Sequence, residues 1–278
     1  MKLFRLSIFT CYGLLTVFAF GLSPQEIARK AFPSAVSLTL FDESGNALKA
    51  GSGFFVRDGI IATNYHVIEG ASSGIAKSVG KENKLVLQRV LAANAKVDLA
   101  LVEVAKTGIP SLTISNGRRL SIGQKVYAIG NPVGLEGTFS EGIISSIREI
   151  GEDYYIQMTA PISSGSSGGP VLNEHGLVVG VSVATLTNGQ NLNFAVPGEY
   201  LSKLISEIHL GLVSGGTGSG KLNLLRFTGM TLFETSDNSE QSSGSTDRSY
   251  KQSNPQSGLY FESSSKEASN KDRLIMTR

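Results

Sequence analysis

Short apolar runs recur along most of the chain, each closed by glycine, asparagine, aspartate or proline. They are AVSLTLF (35–41), GSGFFVR (51–57), GIIATNYHVIEG (59–70), KLVLQRVLA (84–92) and DLALVEVA (98–105). A polar patch over 115–119 interrupts the rhythm. It then resumes with QKVYAIG (124–130), GIISSIREI (142–150), YYIQMTA (154–160), GPVLNEHGLVVGVSVATL (169–186) and NLNFAVP (191–197). The runs are short and rich in β-branched and aromatic residues, which predicts strands. Two stretches break the pattern. PQEIARKAF (24–32) opens on a proline, where a missing N–H costs least, and predicts a short helix. GEYLSKLISEIHLGL (198–212) puts Leu201, Leu204, Ile205 and Ile208 on one face and predicts an amphipathic closing helix. Two sets of strands followed by one helix imply an all-β fold built of two antiparallel barrels or sandwiches.

Both ends differ in character. Residues 1–21 carry Lys2 and Arg5, then an apolar run to Phe20 and small residues at a cleavage spacing, the pattern of a secretory signal peptide. An uncleaved membrane anchor is the alternative, with an apolar run short for a spanning helix. Beyond about residue 213 the sequence turns polar, serine-rich and aperiodic, the composition of a disordered tail over 213–278. The expected domains are therefore 1–21 (signal), 22–118 (first barrel), 119–212 (second barrel and helix) and 213–278 (tail).

Charge and cysteine content follow from that division. The formal net charge is +2, and Lys2 and Arg5 account for it, so a mature chain is balanced. Nothing supports nucleic-acid binding through a basic surface. Cys11 is the only cysteine and sits inside the signal, so the exported chain has no disulfides and needs an ample apolar core. GGTGSGKL at the start of the tail has P-loop spacing, but Leu222 stands where a hydroxyl should hold magnesium, and a linker is the better reading.

The chemistry concentrates in SSGSSGGPV (163–171). By composition it is a linker. Gly165-Ser166-Ser167-Gly168-Gly169 also fits two nucleophile settings, the G-x-S-x-G elbow and the G-x-S-G-G-P turn, and both select Ser167. Glycines suit a tight turn that lets a substrate carbonyl approach backbone N–H groups. A serine nucleophile needs a histidine base, and the histidine an orienting carboxylate. His175, in a turn, and His209, on the closing helix, read as surface residues. His66 is the single histidine upstream and follows an apolar strand. Among the candidate acids, Asp98 abuts a strongly apolar strand and needs a partner; Asp42, Asp58 and Asp153 lie in turn-like contexts. The order His66, Asp98, Ser167 disfavours an α/β-hydrolase esterase, in which histidine and acid follow the serine, as does the lack of alternating strands and helices.

These blocks resemble the trypsin-like serine proteases of the HtrA/Deg type, from about Phe32 to about Pro197. The resemblance implies two six-stranded β-barrels with the active site between them. It implies His66 as general base, Asp98 as its orienting acid and Ser167 as nucleophile, with the backbone N–H groups of Gly165 and Ser167 as oxyanion hole. It also implies a serine endopeptidase acting on unfolded or damaged polypeptides, with no metal or organic cofactor, and it is compatible with a homo-oligomer. The expected location is exported, periplasmic or secreted, with membrane attachment only if the N-terminal segment is retained. Two features depart from the family: Ser166 replaces the usual asparagine before the nucleophile, and 213–278 is too short and polar for the usual PDZ domain. For the substrate pocket, Pro161 stands where trypsin-type enzymes place an aspartate, with Ile162 beside it, and Val181 and Val183 are expected in its wall. This predicts cleavage after small or medium apolar residues. A protease-like protein that holds chains without cutting them is the alternative.

Overall fold

The computed structural model describes residues 21–115, 120–131, 137–185 and 192–209. The predicted signal segment up to residue 20, the tail and its P-loop look-alike lie outside the described residues. No helix among the described residues is long and apolar enough to cross a membrane.

The chain enters through helix α1 (Pro24–Ala31). Ser23 and Glu26 cap it reciprocally: the Ser23 hydroxyl accepts from the Glu26 N–H at 3.3 Å, and the Glu26 carboxylate accepts from the Ser23 N–H at 2.9 Å. Two N–H groups with no intrahelical acceptor are thereby satisfied. Ile27 and Ala31 form its buried face.

Seven strands then build an antiparallel, curled sheet: β1 (Ala35–Phe41), β2 (Ala47–Arg57), β3 (Ile60–Thr63), β4 (Ser73–Ser78), β5 (Lys84–Val86), β6 (Arg89–Asn94) and β7 (Leu99–Glu103). The spatial order is β5-β4-β1-β2-β3-β7-β6. The run KLVLQRVLA, a single strand by its apolar pattern, is in fact β5 and β6. At its middle the Leu87 N–H donates to Gly74 on β4, whereas the Gln88 N–H donates to Glu103 on β7. The chain thus changes neighbours within two residues and occupies both edges of the sheet. A four-residue helix, α2 (Tyr65–Ile68), follows β3 directly.

Residues 105–115 lead to the second half. The Leu112 N–H donates to Phe55 on β2, and Thr113 and Ser115 exchange backbone hydrogen bonds with Val178 of the second sheet. There β8 (Lys125–Gly130), β9 (Thr138–Ile150), β10 (Asp153–Met158), β11 (Pro170–Asn173), β12 (Val178–Thr185) and β13 (Asn193–Pro197) close into a six-stranded barrel in the order β10-β13-β12-β11-β8-β9. Its interior is filled by Val126, Ile144, Ile156, Met158, Val171 and Val179, with smaller alanines between them. Each such large buried apolar side chain contributes about 1.5–3 kcal/mol. Helix α3 (Gly198–His209) packs on β12 and β6 with Leu201 and Leu204 buried. The predicted closing helix is present, and its last predicted residues, 210–212, lie outside the described ones. The fold is mostly β, as the apolar pattern implies, with one closed barrel and one curled sheet.

Candidate active site

His66 sits on α2, immediately after β3 delivers the chain to the end of the first sheet. Asp98 ends the turn before β7, and β3 pairs with β7 from Thr63↔Ala100. That pairing brings the two residues together although 32 positions separate them. The Asp98 carboxylate accepts twice from the same residue: His66 Nδ1 approaches Oδ2 at 2.6 Å, and the His66 backbone N–H donates to Oδ1 at 2.8 Å. The Asp98 carbonyl accepts from Asn64 Nδ2 at 2.8 Å. Asp98 has φ 55°, the only positive φ of a non-glycine among the described residues. Aspartate tolerates this left-handed region better than most residues, and strain of this kind gathers at functional sites.

Hydrogen bonding on the Nδ1 side fixes which ring nitrogen faces away from the carboxylate. His66 Nε2 is buried and has no hydrogen-bond partner among the described residues. The Tyr155 phenol, buried nearby, is pushed up to about 12, by burial first and then by the carboxylates of Asp153 and Asp98. It remains a neutral neighbour of Asp98 across the ordinary pH range.

Ser167 comes from the other sheet, in the loop between β10 and β11. It is 7% exposed. Its hydroxyl donates to the Val183 carbonyl at 3.1 Å. Val183 is the extra residue of a bulge in β12, where the register slips between Ser182 and Ala184. The bulge takes its carbonyl out of the ladder, a common use of bulges beside functional sites.

The loop itself is a closed turn. The Ser166 N–H donates to the Ser163 carbonyl at 2.9 Å, and Gly165 at the third position has φ 91°. That sign is what a type II turn requires there, and glycine meets it without strain. Ser166 is turned inward: its hydroxyl accepts from the Ser163 N–H at 3.3 Å, and a Cβ on Gly130 would lie 2.8 Å from the Ser166 side chain. The Ser166 carbonyl is held by the Ser182 hydroxyl at 2.6 Å, which orients the following peptide and with it the Ser167 N–H. Neither the Gly165 N–H nor the Ser167 N–H has an acceptor among the described residues. Gly168, with φ 88°, touches the first sheet so closely that a Cβ would stand 2.2 Å from the Ser52 carbonyl and 2.3 Å from Thr63 Oγ1.

The other candidates lie elsewhere. His175 is in the turn between β11 and β12, its N–H on Asn173 Oδ1, as the sequence implies. Asp42 accepts from Asn46 within a hairpin, Asp58 from the Thr107 and Gly108 amides, and Asp153 pairs with Lys96. Pro161 is exposed and Ile162 half-buried, while Val181 and Val183 are buried in β12. The Pro161 carbonyl accepts from the Ser140 hydroxyl at 2.7 Å. A cavity of about 540 Å³ lies away from these four residues, lined by Leu120, Ile147, Tyr154, Val179, Pro197 and acidic side chains. Sequence reasoning did not find Ser52, Thr63 or Ser182 at the nucleophile loop.

The sequence matches the trypsin-like peptidase domain over residues 51–181. It is 38% identical over 156 residues to HhoB of Synechocystis sp., which is assigned as a serine protease, covering 53% of this chain and 37% of HhoB. It is 31% identical over 222 residues to serine protease HTRA1 of Xenopus laevis, covering 74% of this chain and 47% of that protein. The chain thus spans a third to a half of the length of these curated relatives. Among solved structures, the serine endoprotease from Yersinia pestis superposes with a TM-score of 0.61 at 28% identity, over 69% of this chain and 68% of that one. With the double carboxylate–histidine contact and the glycine-bounded serine loop inside the matched span, the chain carries a trypsin-like peptidase domain over residues 51–181, and HtrA and DegP-like serine proteases are its relatives.

Proposed function

We propose that this protein is an exported serine endopeptidase that cuts unfolded polypeptides, with Ser167 as nucleophile, His66 as general base and Asp98 as the acid that orients it. One observation carries the reading. The Asp98 carboxylate holds both the ring Nδ1 and the backbone N–H of His66, while Nε2 is buried and unengaged. Such an imidazole has one tautomer and one nitrogen left for a proton. Export follows the signal-like N-terminus and relatives named as periplasmic endoproteases.

The chemistry begins when the Ser167 hydroxyl leaves the Val183 carbonyl and donates to His66 Nε2. As Oγ attacks the scissile carbonyl carbon, its proton passes to Nε2 and the adjacent Asp98 carboxylate stabilises the imidazolium. The carbonyl oxygen becomes an oxyanion facing the free N–H groups of Gly165 and Ser167. Each such donor typically supplies about 3–4 kcal/mol of barrier lowering. His66 then gives its proton to the leaving amine, and water repeats the sequence to release the acyl group.

The test is covalent labelling of the full chain by a fluorophosphonate. The wild type is expected to label and to digest casein; Ser167→Ala is expected to fold and do neither. Casein digestion by Ser167→Ala at the wild-type rate would remove Ser167 from the role. A second reading, a protein that holds chains without cutting them, draws on the Ser167 hydroxyl bonding to Val183 rather than to His66. An unlabelled, folded wild type would favour it. Substrate preference follows from the absence of a carboxylate at Pro161 and Ile162: small or medium apolar residues before the scissile bond. A peptide library cut faster after arginine than after valine or alanine would overturn that preference.

A further inference from the structure

We propose that Ser52 is a positioning residue for the oxyanion hole, clamping the nucleophile loop from the opposite sheet. The inference rests on the reading of Ser167 and Gly165 above. Ser52 lies on β2, is 1% exposed, and belongs to neither the nucleophile loop nor the His66–Asp98 pair. Its hydroxyl donates to the Gly165 carbonyl at 2.6 Å and accepts from the Asn131 N–H at 3.0 Å. Its backbone N–H donates to the Ser167 carbonyl at 2.8 Å, and its own carbonyl accepts from Thr63 Oγ1 at 2.7 Å. One residue of the first sheet therefore holds two carbonyls of the loop and the chain leaving β8.

The geometry says what this does. Two peptide groups separate the candidate oxyanion donors, the N–H groups of Gly165 and Ser167. The Ser182 hydroxyl holds the second of them through the Ser166 carbonyl. The first is held through the Gly165 carbonyl, and Ser52 is its hydroxyl partner. Gly165 lies at φ 91°, in a region where glycine has many alternatives. Without a partner on its carbonyl, the peptide after Gly165 keeps only the bond from the Ser166 N–H to the Ser163 carbonyl, and the angle between the two donors is less firmly set. A hole whose donors must be reorganised during the reaction stabilises the oxyanion less than one already set. The Ser52 hydroxyl has both its donor and its acceptor roles filled, as a fixed support requires.

The test compares Ser52→Ala with wild type, Ser52→Thr and Ser34→Ala in the full chain. Ser34 is an equally buried serine, with its hydroxyl on the Pro110 carbonyl at 2.6 Å, outside the site. Ser52→Ala is expected to lower kcat about tenfold for a peptide substrate with KM within about twofold, the worth of one hydrogen bond in the transition state. It is expected to weaken inhibition by a peptide boronic acid, whose tetrahedral adduct uses the hole, by the same factor. Ser52→Thr, which keeps the hydroxyl, is expected to recover most of both. Ser34→Ala is expected to lose stability without either change. Rates are normalised to the folded fraction read by near-ultraviolet circular dichroism, and Ser52→Cys, a weak donor of similar size, replaces Ser52→Ala if the latter does not fold. Wild-type kcat and boronate affinity in the hydroxyl-deficient variant would overturn the proposal. So would an equal loss in Ser34→Ala, which would mean that stability alone is at work. Loss of fluorophosphonate labelling in Ser167→Ala with an unchanged Ser52→Ala overturns this inference alone; retained labelling in Ser167→Ala overturns the function it rests on as well.

Discussion

Asp98 adopts a backbone angle that few side chains accept, and it uses that angle to place both carboxylate oxygens on one histidine. Shape and charge can be separated there. Asp98→Asn keeps the size and the tolerance of positive φ, but its amide cannot accept from Nδ1 and the peptide N–H as a carboxylate does. We expect the variant to melt within a few degrees of wild type and to lose on the order of 10⁴-fold in kcat through the wrong tautomer. Peptide hydrolysis read beside a thermal melt checks it; a loss under tenfold would mean that Asp98 does not orient His66. At this scale the sequence carried Ser167, because flanking glycines single it out among four serines, and it carried Asp98, because a carboxylate beside an apolar strand needs a partner. It did not carry Ser52. The partner carbonyl is 113 residues away, and no local pattern encodes a contact made when two sheets close on each other. Ser166, the departure from the family pattern, proves to be a local support that ties the turn back to Ser163.

His66 rides on a helix of four residues, far below the length that is stable by itself. Its last carbonyls are held from outside: Lys49 of β2 donates its ammonium to the His66 carbonyl at 2.9 Å and to the Glu69 carbonyl at 3.0 Å. A cation at a helix C-terminus is worth about 0.3–1 kcal/mol at an exposed site and more when partly buried. Lys49→Met, which keeps the aliphatic stem, is therefore expected to cost about 1 kcal/mol and to speed amide exchange at 68–70 more than elsewhere in the first sheet. Urea titration and site-resolved hydrogen exchange measure the two, and uniform exchange would sever Lys49 from α2. The helix was legible only as the continuation of a strand, because YHVI is too short to show a period. The division of KLVLQRVLA was hidden for a related reason. Periodicity reports which face is buried, and both β5 and β6 bury one; it is silent on which neighbour each residue pairs with. The bulge at Val183 is invisible in the same way, since VVGVSVAT alternates no differently with or without it.

Across the whole molecule, phenols lie under packing on both sheets, and burial raises every one whose shift is resolved. Tyr127, Tyr154 and Tyr155 belong to the barrel, Tyr200 to the helix packed on it, and Tyr65 to α2; in each the leading cause is burial. Tyr155 is pushed up to about 12 and Tyr154 higher still. In the unfolded chain these groups lose their protons near pH 10, whereas the folded barrel keeps them. Above about pH 10 the folded state thus binds more protons than the unfolded one, and stability falls as pH rises. The loss is absent below the unfolded value and grows until the folded phenols ionise. Thermal melts from about pH 8 to about pH 11 are expected to show a plateau and then a decline. Tyr155→Phe removes one titrating group, so its decline is expected to be shallower whatever its melting temperature at pH 8. The slope is the discriminating quantity, because a merely packing role for Tyr155 would shift the whole curve and leave the slope as in wild type. Since Tyr155 is buried beside Asp98, labelling of Ser167 is expected to fail over the same alkaline range in which the barrel loses its structure. Labelling lost well below that range would place the site's alkaline limit outside the barrel's own titration.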